Sequence, residues 1–184
     1  MAKEMSSWKQ KKEYRILAPE NFDNKEVGVT FAGSEEQLIG RSVDVSMKEL
    51  VEDRSKQHLK LILEITGAKD GKAQTKFKMF RVDAGYLHSK IRRGSSKIDY
   101  TTFLTLTDGK VRVKVIAVTQ GKAKMSQKKE ILSRIAKALN GYQNMSLSDF
   151  VQATLFGKLG TDLYHNTKTV SPINRVEIEE VRIF

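Results

Sequence analysis

The feature that most constrains this fold is an Asp-Gly pair between two long alternating runs. Asp108-Gly109 joins residues 98–107 to residues 111–119, and β-branched side chains dominate both runs. Such a pair is a strong hairpin signal, because a two-residue turn needs positive backbone dihedrals that Asp and Gly tolerate. The second run alternates cationic with apolar side chains, namely Arg112 and Lys114 against Val111, Val113 and Val115. The sequence therefore predicts a hairpin with one apolar and one charged face.

The first half of the chain predicts further short strands. Alternating or β-branched runs occupy residues 14–18, 25–32, 41–46, 58–66 and 74–82. A second Asp-Gly turn, Asp70-Gly71, separates the last two runs and predicts another hairpin. After Ser46, Met47 to Val51 predict a helical turn with Glu49 as a capping partner, and residues 83–93 predict a longer helix.

The second half changes period. Apolar positions fall at i, i+3, i+4 and i+7 in Leu132, Ile135, Ala136 and Leu139, which predicts an amphipathic helix ending at Gly141. Ser146 with Asp149 starts a second helix, a third holds Leu159 and Leu163, and residues 173–183 predict a final strand. These elements predict an α+β fold. We expect a mostly antiparallel β-barrel of six or more strands with flanking helices and a helical segment before the last strand.

Charge is segregated along the chain, whose formal net charge is +11. Residues 19–53 carry nine acidic against three basic side chains, whereas residues 110–137 carry nine basic against one acidic. Residues 86–97 carry four basic side chains and no acid. Concentrated positive charge attracts polyanions, while solubility alone does not require segregation by sign.

Cysteine is absent, and no apolar run approaches the length that spans a bilayer. We expect no membrane association and a cytoplasmic location. Residues 1–12 are polar and basic with one aromatic, Trp8, so we expect a basic flexible tail there and a single β-barrel domain with helices over 13–184.

Candidate RNA-binding residues come from three basic stretches. A basic loop before a helix can follow a phosphate backbone, and arginine favours bidentate phosphate contacts. The tail provides Lys3, Trp8, Lys9, Lys11 and Lys12, residues 90–97 provide Lys90, Arg92, Arg93 and Lys97, and residues 119–137 provide Lys122, Lys124, Lys128, Lys129, Arg134 and Lys137. Trp8 suits either stacking on an unpaired base or packing on its own domain.

Few residues in the sequence indicate an enzymatic function. His58, His88 and His165 are far apart and lack metal-ligand spacing. The carboxylates Glu177 and Glu179 alternate with apolar Val176, Ile178 and Val181, which favours a solvated strand face over a two-metal site. We expect no catalytic residues, no metal, no cofactor and no small-molecule substrate.

Several segments resemble one ribosomal protein family in their order and spacing. They are residues 8–14 with Leu17-Ala18-Pro19 and Phe22, residues 40–50, Lys60-Leu61 with Gly67 and Phe77, Thr107-Asp108-Gly109, and Val118-Thr119 before a lysine-rich helix. Residues 40–50 and 98–137 carry most of the likeness. The chain resembles the S-three-a-e family of archaeal and eukaryotic small ribosomal subunits over nearly its whole length.

This resemblance implies a β-barrel with helices that assembles on small-subunit ribosomal RNA. It implies a place on the platform near the messenger exit, contact with the 3′ region of that RNA and with neighbouring ribosomal proteins, and no catalysis. The chain departs from the family in an acidic final strand, so no RNA contact is assigned there. It is shorter than eukaryotic members, which suggests an archaeal type.

Two other functions stay open at this point. A free translation or RNA-processing factor with an oligonucleotide-binding barrel would show exposed aromatic residues on a strand face. Phe77 and Phe80 are three apart on one predicted strand, so they face opposite sides. An RNA-modifying enzyme would need a pocket lined by acids or histidines.

Overall fold

The computed structural model describes residues 11–19 and 22–184, and this part of the chain contains eight strands and five helices. The predicted α+β composition is confirmed. The elements in chain order are β1 (Lys12–Leu17), β2 (Glu26–Ala32), β3 (Ser42–Ser46), α1 (Met47–Val51), β4 (Leu59–Lys69), β5 (Lys72–Val82), α2 (Ala84–Lys90), β6 (Lys97–Leu106), β7 (Gly109–Thr119), α3 (Met125–Asn140), α4 (Leu147–Leu155), α5 (Lys158–Thr167) and β8 (Ile173–Ile183).

The chain divides into two compact units, of which the first ends at Met79 and the second runs from Phe80 to Phe184. This division falls within β5. It does not test the single-domain expectation for residues 13–184, which stays a prediction.

The first unit is a mixed sheet in the order β2-β1-β5-β4-β3. β1 pairs with β2 in antiparallel fashion and with the start of β5 in parallel. Its core gathers Tyr14, Ile16, Ala32 and Ile65 from strands that are far apart in sequence, and Leu38 from the turn between β2 and β3. Burial of these apolar side chains, at roughly 25 cal/mol per Å², is the main stabilising contribution to this unit.

The predicted β4–β5 hairpin is confirmed. Asp70 and Gly71 have φ angles of 52° and 75°, the two positive values that a type I′ turn requires. The helical turn after β3 also forms as predicted, and the Ser46 hydroxyl accepts a hydrogen bond of 3.3 Å from the Lys48 N–H.

The second unit places β6, β7 and β8 side by side in antiparallel order and packs helices on one face. Val111, Val113 and Val115 are fully buried, as the alternation predicted. α3 packs against α5 and β6, and α5 packs against β8. The last three helices thus cover the apolar side of the sheet.

The structure corrects the predicted inner face of α3. Its buried residues are Ile131, Ile135 and Leu139, whereas Leu132 and Ala136 are only half-buried. The buried residues are spaced four apart because α3 turns this side toward α5 and β6, against which it packs.

The last helices are fixed by polar contacts as well as by packing. Ser146 and Asp149 begin α4 as predicted: the Ser146 hydroxyl accepts a hydrogen bond from the Asp149 N–H and donates one to the Asp149 carboxylate. The Tyr142 hydroxyl donates a hydrogen bond to Asp162 of α5. Burial, together with this carboxylate, raises the pKa of Tyr142 to about 12.

A closed β-barrel is not confirmed. Among the described strands, the first unit ends in β2 and β3 without a pairing between them, and β6 of the second unit has only β7 beside it. Closure requires every strand to have two neighbours, so each sheet remains open at an edge.

Candidate nucleic-acid interface

The loop between α2 and β6 presents two arginines to solvent. Its turn is closed by Ser95, whose N–H and hydroxyl both donate to the Arg92 carbonyl oxygen, at 3.1 Å and 2.6 Å. Gly94 adopts a φ of 89°, which L side chains rarely adopt. Arg92 and Arg93 are exposed at the tip, and Lys90 lies over the Tyr86 ring at 4.8 Å from its centroid.

This loop lies directly against the loop that leads into α3. The Thr119 N–H donates to the Ser96 carbonyl at 3.0 Å, and the Ser96 N–H donates to the Thr119 hydroxyl at 3.0 Å. The Ser96 hydroxyl accepts a third hydrogen bond, of 3.1 Å, from the Ala123 N–H. Both residues are buried, so these bonds are shielded from water and fix the spacing of the two loops.

The start of α3 concentrates positive charge where a helix disfavours it. Lys124 occupies the N-cap position and Lys128 lies one turn further, while the first turn contains no acidic residue. The N-terminus of a helix carries about half a positive charge, so lysines there cost stability. A lysine ammonium group also cannot accept hydrogen bonds from the free N–H groups of the first turn. The arrangement favours an anionic partner at this end of α3.

Together these elements form what we call the basic loop surface. It consists of Lys90, Arg92, Arg93, Lys122, Lys124, Lys128 and Lys129. Within the described ranges, none of these seven side chains is placed to form an ion pair with an acidic residue. Unpaired cations grouped on fixed loops create the local field that binds phosphates.

A pocket of about 280 Å³ opens within this surface. It is lined by Lys90, Arg92, Ser95, Thr119, Gln120 and Asn174. Gln120 and Asn174 are polar lining residues that sequence reasoning missed, because they come from a loop and a strand whose proximity only the fold reveals. The Gln120 N–H donates to the Pro172 carbonyl oxygen at 2.9 Å, which fixes that proximity.

Other predicted RNA-binding residues lie outside this surface. Lys97 pairs with Asp99 at 3.1 Å on β6. Arg134 pairs with Glu130 at 2.6 Å and donates to the Asn166 carbonyl at 3.3 Å, so it joins α3 to the end of α5. Lys137 is exposed in the last turn of α3 beside a second pocket, of about 360 Å³, that Arg134 also lines.

The tail residues cannot be compared with this surface. Lys11 and Lys12 are exposed and belong to the first unit. Lys3, Trp8 and Lys9 lie outside the described residues. Their assignment to RNA binding stays a prediction.

The final strand is not the solvated acidic face that its sequence predicted. Glu177, Glu179 and Glu180 are half-buried, and they pair with Arg175 at 3.0 Å, Lys114 at 2.8 Å and Arg112 at 2.5 Å, respectively. We call the Lys114–Glu179 and Arg112–Glu180 pairs the β7–β8 ladder, whereas the Arg175–Glu177 pair lies within β8. A register shift in β8 opposite Lys114 and Val115 brings Glu179 and Glu180 together on the side of β7 that holds the cations.

No group of three or more His, Cys, Asp or Glu side chains among the described residues is placed to hold a metal ion. Within the same residues, no helix combines the length and apolar character needed to cross a bilayer.

An α+β protein with a cationic loop surface is the class that this structure defines. The sequence matches the Ribosomal S3Ae family over residues 1–184. The chain therefore belongs to this family of ribosomal proteins, and the predicted resemblance is confirmed.

Individual relatives support the same family. Proteins named small ribosomal subunit protein eS1 are similar to this chain in three archaea. The one from Methanobrevibacter smithii is 40% identical over 96% of this chain and 93% of its own length. Those from Sulfurisphaera tokodaii and Methanothermobacter thermautotrophicus are 35% and 34% identical, each over 96% of this chain and 92% of their own length.

Proposed function

We propose that this chain is a structural, non-catalytic component of the small ribosomal subunit that binds ribosomal RNA through the basic loop surface. Its family and the names of its relatives support the ribosomal role. We further propose a place on the platform near the messenger exit, with contacts to the 3′ region of the RNA and to neighbouring ribosomal proteins. On this proposal the chain works in the cytoplasm as part of the ribosome.

The observation that carries the proposal is the convergence of two basic loops. Residues 90–97 and 119–124 are separated by a whole hairpin in sequence, yet Ser96 and Thr119 hold them in contact. Arg92, Arg93, Lys122 and Lys124 of these two loops are all exposed. A phosphate backbone requires several cations at fixed spacing, which one flexible loop does not provide.

The charge distribution in the first unit also supports the assignment of RNA binding to the basic loop surface. The segment 19–53 is acidic, and Glu35 and Glu36 are exposed. Facing RNA with this surface would cost electrostatic repulsion. We propose that it faces a neighbouring protein or solvent instead.

Sucrose-gradient fractionation of native cell extract, at low and at high salt, tests this function. The chain should travel with the small subunit at low salt and leave it only at high salt, since counterion release drives phosphate binding. A variant with glutamine at Lys122, Lys124, Lys128 and Lys129 should leave at lower salt. If the unaltered chain stays at the top of the gradient at low salt, a free RNA-binding factor becomes the better function.

A further inference from the structure

We propose a second RNA contact on the sheet of the second unit, where Phe103, Phe184, Arg112 and Arg182 form a platform for unpaired RNA bases. We call these four residues the aromatic platform. The inference rests on the proposed role in RNA binding and assigns a different surface and a different kind of contact.

The two rings of the aromatic platform are unusually exposed. Phe103 is 63% and Phe184 is 64% accessible, and their ring centroids lie 6.0 Å apart with planes tilted by 60°. Isolated exposed apolar residues are common, but two neighbouring exposed aromatic rings form a surface with binding capacity. About two thirds of each side chain is therefore accessible to a ligand.

The strand register places the platform on rigid backbone. Phe103 of β6 lies opposite Arg112 of β7, and Arg112 lies opposite Arg182 of β8, so the three form one row across the sheet. The Phe184 N–H donates to the Lys110 carbonyl oxygen at 3.1 Å, which continues the ladder beyond β8. Neighbouring Val111 points to the opposite, buried face.

Cations flank the Phe184 ring. The guanidinium carbons of Arg112 and Arg182 lie 5.8 Å and 5.3 Å from the Phe184 ring centroid. Arg112 also forms an ion pair with Glu180, whereas Arg182 is exposed and makes no ion pair within the described part of the chain. Lys110 is also exposed beside the row. Arg182 and Lys110 are therefore available for phosphates next to the rings.

These features favour RNA over a protein partner. The core of a protein interface needs a broad apolar patch depleted in charge, but here Thr101, Thr105 and cations border the two rings. An aromatic face beside guanidinium groups suits an unpaired base with its phosphate. Bases in a duplex hide their faces by stacking on one another, so the platform should discriminate single strands from duplex.

The full-length protein provides the test, with a short oligouridine and an RNA hairpin stem as the two probes. Replacing both rings by leucine (F103L, F184L) keeps apolar volume and removes the aromatic faces. We expect about fivefold or greater loss of oligouridine affinity and an unchanged affinity for the stem. Replacing both by tyrosine should preserve oligouridine binding. Phe156→Leu is the matched control, since Phe156 is 62% exposed on another element.

Contact can also be located directly. Ultraviolet crosslinking of oligouridine followed by mass spectrometry should identify peptides that contain Phe103 or Phe184. The proposal is overturned if the leucine variant keeps full oligouridine affinity, or if it loses affinity for both probes equally.

Two further results distinguish failure of the aromatic platform from failure of the proposed function. Loss of binding to a small-subunit protein, with oligouridine affinity intact, would identify a protein docking surface and reject the platform for RNA. If glutamines in the basic loop surface leave the affinity for both probes unchanged, the proposed function fails at that surface while the platform result stands on its own.

Discussion

Two sets of basic side chains in the second unit differ in how the fold uses them. In the β7–β8 ladder, Arg112 and Lys114 pair with half-buried carboxylates at 2.5 Å and 2.8 Å. In the basic loop surface, Arg92, Lys122 and their neighbours have no acidic partner among the described residues. The first set stabilises the sheet, and the second leaves its charge for an external polyanion. Positive charge in a sequence segment therefore does not by itself identify a binding surface.

The largest expected effect is a loss of RNA affinity when the basic loop surface, and not the β7–β8 ladder, loses its charge. Replacing Lys122, Lys124, Lys128 and Lys129 with glutamine should lower RNA affinity strongly and flatten the slope of log affinity against log salt by about 3 to 4. No internal ion pair is lost, so thermal stability should not fall. Filter binding over a salt series measures the slope.

A matched control has the same change in net charge at exposed lysines elsewhere. Glutamine at Lys48, Lys69, Lys76 and Lys168 should leave the slope nearly unchanged. Equal flattening in both variants would mean that overall charge, and not the basic loop surface, governs binding.

The next prediction concerns Lys114 of the ladder. Lys114→Met keeps the apolar stem but leaves Glu179 without its cation, and one oxygen of Glu179 is already buried without a hydrogen-bond partner in the described structure. We expect the free energy of unfolding to fall by about 1 kcal/mol, a small value because the pair is partly solvated. Chemical denaturation of this variant and of Lys128→Met should show the loss only in the former.

The ladder also predicts a pH dependence. The hydrogen bond from Lys114 to Glu179 raises the pKa of Lys114 above its ordinary value of 10.5. A raised pKa in the folded state means that the pair stabilises below pH 10.5 and that this stabilisation is lost as pH rises through the folded pKa. The stability difference between the unaltered chain and Lys114→Met should therefore vanish at strongly alkaline pH. A constant difference across that range would contradict the pairing.

Opposite effects on stability are expected at the two ends of α3. At the start of α3 the Gln127 side chain caps only the Lys124 N–H. Lys124→Asp adds an acceptor for the N–H groups of the first turn, so stability should rise by about 0.5–2 kcal/mol while RNA affinity falls. Lys137→Asp makes the same charge change in the last turn, where the dipole favours lysine, and should lower stability. Thermal melts and RNA titrations of both variants measure the contrast. A loss of stability in Lys124→Asp would show that the lysine serves the fold.

The smallest expected effect lies in the first unit. Charge reversal at Glu35 and Glu36, to lysine, should leave RNA affinity equal or slightly stronger, because these exposed acids should not face RNA. Glutamine at the same positions separates loss of charge from its reversal. A large drop in affinity for the lysine variant would place this segment at the RNA and contradict the proposed orientation.

Local rules were enough to predict much of the fold. Both predicted hairpins, the Ser46 and Ser146 caps and the final strand at 173–183 formed, because each depends on a few adjacent residues. The turn of the β6–β7 hairpin lies at Thr107-Asp108, one residue earlier than predicted, and Gly109 begins β7. The inner face of α3 was placed about one residue off, since Ile131 and Leu132 are equally apolar and only the neighbouring elements choose between them. Barrel closure is not confirmed, and it is hard to predict locally because it depends on pairings between distant strands.

The candidate site, like the fold, could be predicted from the sequence only in part. Sequence alone determined which segments carry unbalanced positive charge, because charge is a property of composition that folding does not change. Only the tertiary structure decided that Glu179 and Glu180 neutralise Lys114 and Arg112, and that Phe103 and Phe184 meet on one sheet face. Hydrogen bonds and ion pairs act over a few ångströms. They depend on which distant residues the strand register brings together, and no local pattern in this chain specifies that register.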